Sequence, residues 1–388
     1  MNIKTQAELE AICRRMYQAG CMGIDSEFIP ENTYYPQLAL VQLAVENDCC
    51  LVDPLSNLDL SPIEDVLQSE RVISIVHAGA QDMAIFFYRS GKPPKMVFDT
   101  QLAASFVGMG HQVSYASMVQ QLFGVSLKKG QSYTDWMKRP LLAQQVTYAL
   151  EDVAYLIGAY EKLAGELENK GRLGWVTEEL RMYEESYFYL QHAEHPEKRV
   201  KKSRQLKLRE QAILETLANW REEKAQEKNL PRKKILPDPT IVDLSRRAPQ
   251  NEAELFSIRS VGYSMKRYSS ELLHVIAQAK KMPLSEEAPK FVSSLDGDQK
   301  LLVDFLQFCL KAFCAQEDIS SSYVSTKAEL EALVRDYFSD SFTPENHRLL
   351  TGWRKDAVGL QVLRCLEGKM GVAYHPQTGK LLFAAIPQ

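Results

Sequence analysis

Five side chains in three separated stretches have the types and spacings that phosphate hydrolysis uses. In "MGIDSEF", Met22 to Phe28, Asp25 and Glu27 interrupt an apolar run one residue apart, so on a strand both carboxylates point to the same face. In "HAGAQDMAIFF", Asp82 stands near the start of a helix that follows a strand, beside a Gly-containing turn. In "TYALEDVAYL", Tyr148 and Asp152 are four apart, which on a helix presents them from one face. Each alone has an ordinary structural use, as a cap or as a half-exposed helical face. Together they are four carboxylates and a phenol. Two such charges about 5 Å apart repel by roughly 3 kcal/mol at an effective dielectric near 20, and four carboxylates make six pairs, so a converged cluster needs cations. Oxygen-only donors, without Cys or paired His, suit Mg²⁺ or Mn²⁺ rather than zinc. Two such ions balance four carboxylates and leave positions for phosphodiester oxygens, the two-metal arrangement for in-line displacement. Tyr148, one helical turn from Asp152, is placed to orient a water.

The elements that must carry these residues follow from the hydrophobic period. "MGIDSEF", "QLALVQLAV" and "CCLVDPL" read as three strands, the last two joined by the polar turn "END", which implies an antiparallel meander. "RVISIVHA" and "KMVFD" read as strands each followed by a helical pattern, which implies crossovers and parallel pairing. A mixed five-stranded sheet flanked by helices results. From Leu141, "LLAQQVTYALEDVAYLIGAYEKLAGEL" reads as one long helix, and a second from Trp175 to Gln191 ends the domain. Glu197 to Arg209 then carries seven basic residues against one acid. Two helical pieces follow, Leu206 to Lys280 and Gln299 to Glu367, separated by the Pro/Ser/Asp/Gly-rich "KKMPLSEEAPKFVSSLDGD". The expected fold class is α/β followed by all-α, with domains at about residues 1–195, 206–285 and 295–370.

Composition narrows the context. The chain has 388 residues, 45% of them hydrophobic, enough for more than one core, and its net charge of −4 does not by itself mark a nucleic-acid binder. Seven scattered cysteines, never spaced as Cys-x-x-Cys, argue against a disulfide framework and a structural zinc site. With no run near the roughly 20 apolar residues of a membrane span and no secretory start, a soluble cytoplasmic protein without membrane contact is expected.

"DSE" in a strand, "HAGAQD" before a helix and "YALED", in this order and at this spread, resemble the three motifs of the DEDDy 3′-to-5′ exonucleases. The resemblance implies a ribonuclease H-like (DnaQ-like) exonuclease domain, with Asp25, Glu27, Asp82 and Asp152 as metal-binding carboxylates and Tyr148 as the tyrosine of the subgroup. "TYYPQLALVQLA", "FDTQLAASFVG" and "DWMKRPLLAQQVTYALEDVAYL" are similar to the bacterial ribonuclease D family. That family usually has Asp-Thr-Glu where this chain has Ser26 in the middle, a residue expected to point away from the metals. "LPRKKILPDPTIVDLSRRAPQNEAELFSIRSVGYSMKRYSSELLHVI" resembles the HRDC module, and "LLTGWRKDAVGLQVLRCLEG" looks like the end of a second, diverged copy. The resemblance implies a metal-dependent exoribonuclease acting on transfer-RNA precursors with single-stranded 3′ extensions and releasing nucleoside 5′-monophosphates, with no obligate protein partner evident. Two alternatives stay open: a DNA exonuclease of proofreading or Werner type, which shares the carboxylates, and a non-catalytic RNA-binding platform.

Candidate phosphate contacts lie in three places. Lys128, Lys129 and Gln131 occupy a loop leading to the third motif; Lys201, Lys202 and Arg204 lie in the basic hinge; Arg232, Lys233 and Lys234 open the first helical module, with Tyr263 and Tyr268 near for base or sugar contacts. The second module, with the mixed surface of "STKAELEALVRDYFSD", is expected to pack or close rather than bind RNA.

Overall fold

The computed structural model describes residues 2–127, 134–201, 206–283, 295–339 and 342–386, with 191–194 by backbone only. Strand β1 (Asn2–Ile3) leads into helix α1 (Gln6–Ala19), whose start is closed reciprocally: the Glu8 N–H donates to Thr5 Oγ1 and the Thr5 N–H donates to the Glu8 carboxylate. Strands β2 (Cys21–Ile29), β3 (Gln37–Val45) and β4 (Asp48–Val52) form the antiparallel meander. Helix α2 (Ser61–Leu67), β5 (Ile73–Val76), α3 (Ala80–Ser90), β6 (Val97–Asp99) and α4 (Thr100–Ala104) supply the crossovers. Helices α5 (Tyr115–Phe123), α6 (Ala143–Ala154), α7 (Leu156–Asn169), α8 (Leu173–Leu180) and α9 (Ser186–Glu194) follow.

The sheet runs β1-β4-β3-β2-β5-β6, with β2 and β5, β5 and β6, and β1 and β4 parallel. It therefore has six strands rather than five. The extra one, β1, is two residues long and too short to show a period in the sequence. The two central strands are β3, buried from Leu38 to Val45, and β2, which carries Asp25 and Glu27. A register shift between Glu27 and Phe28 bends β2 just past the second carboxylate.

The long helix expected from Leu141 onward is two helices, broken at Tyr155 (φ −109°, ψ 0°). Helix α6 lies across β2, β3 and β4, whereas α7 lies across β2 and β5, so the break turns the chain from one half of the sheet to the other. Gly23 permits the approach of α7, since a Cβ there would stand 3.1 Å from the Leu156 Cβ and 3.2 Å from that of Ala44.

Helices α10 (Leu208–Lys228), α11 (Arg232–Ile235), α12 (Asp238–Arg247), α13 (Glu252–Phe256) and α14 (Ser269–Lys281) close around a core of their own that includes Leu217, Ile241, Leu255, Leu272 and Ile276. The remaining elements are α15 (Gly297–Gln316), α16 (Ser321–Val324), α17 (Lys327–Tyr337), α18 (Gly352–Arg354), α19 (Leu360–Leu366) and a hairpin of β7 (Met370–His375) and β8 (Lys380–Ala385). The hairpin lies beyond the helical region expected to end near residue 370. These C-terminal helices do not form a separate core: Val303, Leu310, Phe313, Leu350 and Trp353 are continuous with the core of the sheet domain. Trp353 stacks on Trp175 at 5.2 Å and meets Phe106 edge-on at 5.1 Å, while Arg354 and Trp353 both donate to the Glu179 carboxylate. Among the described residues, no helix is long and apolar enough to cross a membrane.

Candidate active site

Asp25 faces Gln42 across the β2–β3 ladder and Glu27 faces Leu40, so both carboxylates stand on the face that α6 covers. Asp82 enters from the first turn of α3, and Tyr148 and Asp152 come from α6. The four carboxylates share one electrostatic neighbourhood. Burial pushes the Asp25 carboxyl well above its ordinary range, and Asp82, Asp152 and Glu27 push it further in that order. Glu27 is raised to about 8 by burial, then by Asp152 and Asp82. Asp152 is raised to about 7 by burial, against which a hydrogen bond with Tyr148 works. Asp82 is likewise raised by burial, with the Ser26 hydroxyl opposing.

Ser26, paired with Val41, alternates to the face opposite Asp25 and Glu27, yet it does not stand idle: its hydroxyl donates to Asp82 Oδ1. A small hydroxyl residue between the two strand carboxylates thus ties the first motif to the second.

Two residues not singled out from the sequence hold these elements. Asp99, at the end of β6 and 4% exposed, accepts from the N–H groups of Ala78 (3.0 Å), Gly79 (3.2 Å), Gln101 (2.9 Å) and Leu102 (3.4 Å) and from the Tyr183 hydroxyl (2.7 Å). One carboxylate thereby caps α4 and fixes the turn that launches α3 toward Asp82. That turn is tight, with Ala78 at φ +56° and no room at Gly79, where a Cβ would lie 2.6 Å from Val76. His77, at the end of β5, is fixed between Thr100 Oγ1 and the Val113 carbonyl, both at 2.9 Å. The aspartate before a helical run in "FDTQLAAS" was a legible capping signal. The second residue is Arg139, which grips Asp53 with two nitrogens (2.6 and 2.7 Å) and donates to the carbonyls of Trp136 and Ala39 (both 2.7 Å), anchoring the segment before α6 to the sheet. Trp136, buried beside it, backs the Tyr148 ring at 6.1 Å.

Tyr148 is pushed above the ordinary phenol range by burial and then by Asp152 and Glu27, so it keeps its proton at neutral pH. It can donate and accept a hydrogen bond but does not serve as an anionic base.

Among the described residues, no three His, Cys, Asp or Glu side chains are drawn up into a ready-made coordination sphere. The donor set still fits a hard divalent cation. Four buried oxygen-only carboxylates, of which Asp82 and Asp152 push up both Asp25 and Glu27, are what such a cation relieves, and a donor set of carboxylates alone suits hard cations better than softer metals.

The candidate phosphate contacts divide. Lys128, Lys129, Gln131, Lys202 and Arg204 lie outside the described residues. Lys201 is exposed, with its N–H donating to Asp238, and Lys233 and Lys234 are exposed on α11. Arg232 is occupied: it pairs with buried Glu222, donates to the Tyr34 hydroxyl at 3.0 Å and lies 4.5 Å over the Tyr34 ring. Of the two tyrosines, Tyr263 is 80% exposed, whereas Tyr268 is buried edge-on against Trp220 and belongs to the core.

Comparison with known proteins gives a consistent picture. A 3′–5′ exonuclease family model matches residues 1–168, and an HRDC domain model matches residues 210–276. Ribonuclease D of Zymomonas mobilis is 33% identical over 99% of this chain and 98% of its own. Ribonuclease D of Jannaschia sp. is 33% identical over 98% of each. The crystal structure of Escherichia coli RNase D, described as an exoribonuclease involved in structured RNA processing, superposes with a TM-score of 0.81 at 28% identity, covering 95% of this chain and 98% of that one.

Proposed function

The chain belongs to the ribonuclease D family of 3′–5′ exoribonucleases, and from that membership we propose that it trims transfer-RNA precursors carrying single-stranded 3′ extensions, releasing nucleoside 5′-monophosphates with two divalent ions, Mg²⁺ or Mn²⁺. The observation that carries the reading is the convergence of four buried carboxylates, in which Asp82 and Asp152 act on both Asp25 and Glu27, with Tyr148 hydrogen-bonded to Asp152 beside them.

Asp25, Glu27, Asp82 and Asp152 would hold the ions, which when bound supply the charge that offsets the carboxylates and the Lewis acidity that in-line phosphoryl displacement needs. The chain's own residues do the rest by placement. Ser26 and Asp99 orient Asp82 and its turn, Trp136 backs the Tyr148 ring, and the protonated Tyr148 hydroxyl orients an attacking water. Exposed Lys201, Lys233, Lys234 and Tyr263, together with Lys128, Lys129, Gln131, Lys202 and Arg204, are the proposed contacts to the RNA. Arg232 contributes to domain docking instead.

A time course of product lengths from a 3′-extended transfer RNA with Mg²⁺ or Mn²⁺ tests this reading, with a matched DNA strand as the comparison. Stepwise shortening of the RNA from its 3′ end is expected, and Asp25→Ala should lose about a thousandfold or more of the rate. Substantial turnover by Asp25→Ala would sink the assignment, and faster trimming of the DNA would redirect it.

A further inference from the structure

Tyr115, the first residue of α5, sits between the two halves of the broken helix. Its hydroxyl donates to the Glu151 carbonyl (3.2 Å) and accepts from the Tyr155 N–H (3.0 Å). In a continuous helix those two backbone groups would bond to each other, since they are four residues apart. A phenol oxygen inserted into that ladder is a recognised cause of a sharp helix break, and here no Pro or Gly stands at the break to produce it. The bridged carbonyl belongs to the residue just before Asp152, and Tyr148 is one turn earlier on the same helix. Burial keeps the Tyr115 phenol protonated, so the donor half of the bridge is always available. Its ring meets His77 edge-on at 5.5 Å, and His77 directly follows β5, the strand that leads to Asp82.

We infer that Tyr115 is a positioning residue: by wedging its hydroxyl between Glu151 and Tyr155 it holds α6 at the angle that presents Asp152 and Tyr148 to Asp25. It touches no reacting group. Removing the hydroxyl lets the Tyr155 N–H close directly on the Glu151 carbonyl, which straightens the helix and draws Asp152 off the carboxylate face while leaving the apolar packing of the ring intact. The inference rests on the exonuclease reading of Asp152 and Tyr148.

The test is Tyr115→Phe in the full-length protein, followed by three readouts. Calorimetry with Mn²⁺ alone, on RNA-free protein, should show affinity about tenfold weaker, the range seen when a residue supporting a metal ligand is lost. Single-strand trimming should show kcat down by about tenfold to a hundredfold, with KM for the oligonucleotide changed by less than about twofold. The melting temperature controls for folding. Because Tyr115→Phe could still perturb the fold, Tyr160→Phe, which removes another partly buried phenol oxygen away from the break, is the control and should leave Mn²⁺ affinity and kcat within about threefold of wild type. Wild-type Mn²⁺ affinity and kcat in Tyr115→Phe would overturn the inference, as would an equal loss in Tyr160→Phe. The wild-type rate and the Asp25→Ala control test the exonuclease reading separately, so the two can fail independently.

Discussion

At the scale of single residues the site is an electrostatic conflict that the fold maintains. Glu27 and Asp152 are held protonated up to about 8 and about 7, each chiefly by burial. A carboxyl whose folded-state pKa exceeds its unfolded value binds its proton more tightly when folded. Its contribution to stability is therefore complete below about pH 4 and is lost as pH rises through the folded-state values. Metal-free protein should lose stability from about pH 4 to pH 8, by at most about 1.4 kcal/mol per pH unit for each proton that the folded state retains and the unfolded state has lost. Glu27→Gln cannot ionise, so its melting temperature should exceed wild type at pH 8 and converge with it near pH 4, while its exonuclease activity is lost. Thermal melts of both proteins in chelator across that range decide the point, and equal slopes would mean that Glu27 does not carry the repulsion. Adding Mn²⁺ should raise the wild-type melting temperature more at pH 8 than at pH 6, because at the lower pH the cation must displace protons.

At the scale of elements, the site depends on turns and breaks rather than on the long helices and strands. Asp99 is the clearest case, since one carboxylate satisfies four backbone N–H groups and a phenol across β6, α4 and the turn before α3. Asp99→Asn puts an NH₂ where two or more donors converge, and should cost about 2 kcal/mol in urea unfolding, with a tenfold or greater loss of trimming rate as the Asp82 turn loosens. A stable but fully active Asp99→Asn would show that the turn holds without it. This scale also separates what the sequence made legible from what it did not. Asp25 and Glu27 were readable because a two-residue period is local, and Tyr148 with Asp152 because a helical turn is local. That the three stretches meet was readable only from their resemblance to a family, since nothing in "HAGAQD" specifies which strand its helix will face. Tyr115 left no trace because its partners are backbone atoms of a helix some 40 positions away. The break at Tyr155 was invisible for the same reason: local propensity favours one continuous helix, and a tertiary contact overrides it. The β7–β8 hairpin, by contrast, was signalled by the "HPQTG" turn between two apolar runs and could have been found.

At the scale of the whole molecule, the two helical regions are attached by opposite physics. The C-terminal region continues the core of the sheet domain through Trp353, Phe106 and Trp175, an apolar junction closed by the buried Arg354–Glu179 pair. The HRDC region instead grips the loop between β2 and β3 through polar contacts. The Tyr34 hydroxyl enters a socket of Glu222, Gln226 and Arg232, and the Asn229 side chain accepts from the N–H groups of Tyr34 (3.1 Å) and Tyr35 (3.2 Å). This loop directly follows the strand that carries Asp25 and Glu27, so the position of the HRDC region is referred to the strand of those two carboxylates. Deleting an aromatic side chain from the first junction should cost about 3–5 kcal/mol, the range for large-to-small core changes. Trp353→Ala should therefore lower the melting of the sheet domain and the C-terminal helices together, as one transition. Tyr34→Ala leaves the two cores intact but strands the Glu222–Arg232 pair at a half-open interface. Calorimetry should then resolve a separate HRDC transition at nearly unchanged temperature for the sheet domain, and small-angle scattering should show a larger radius of gyration. If Tyr34→Ala melts as a single unit with wild-type dimensions, the socket does not fasten the domain, and the attachment must lie in other contacts.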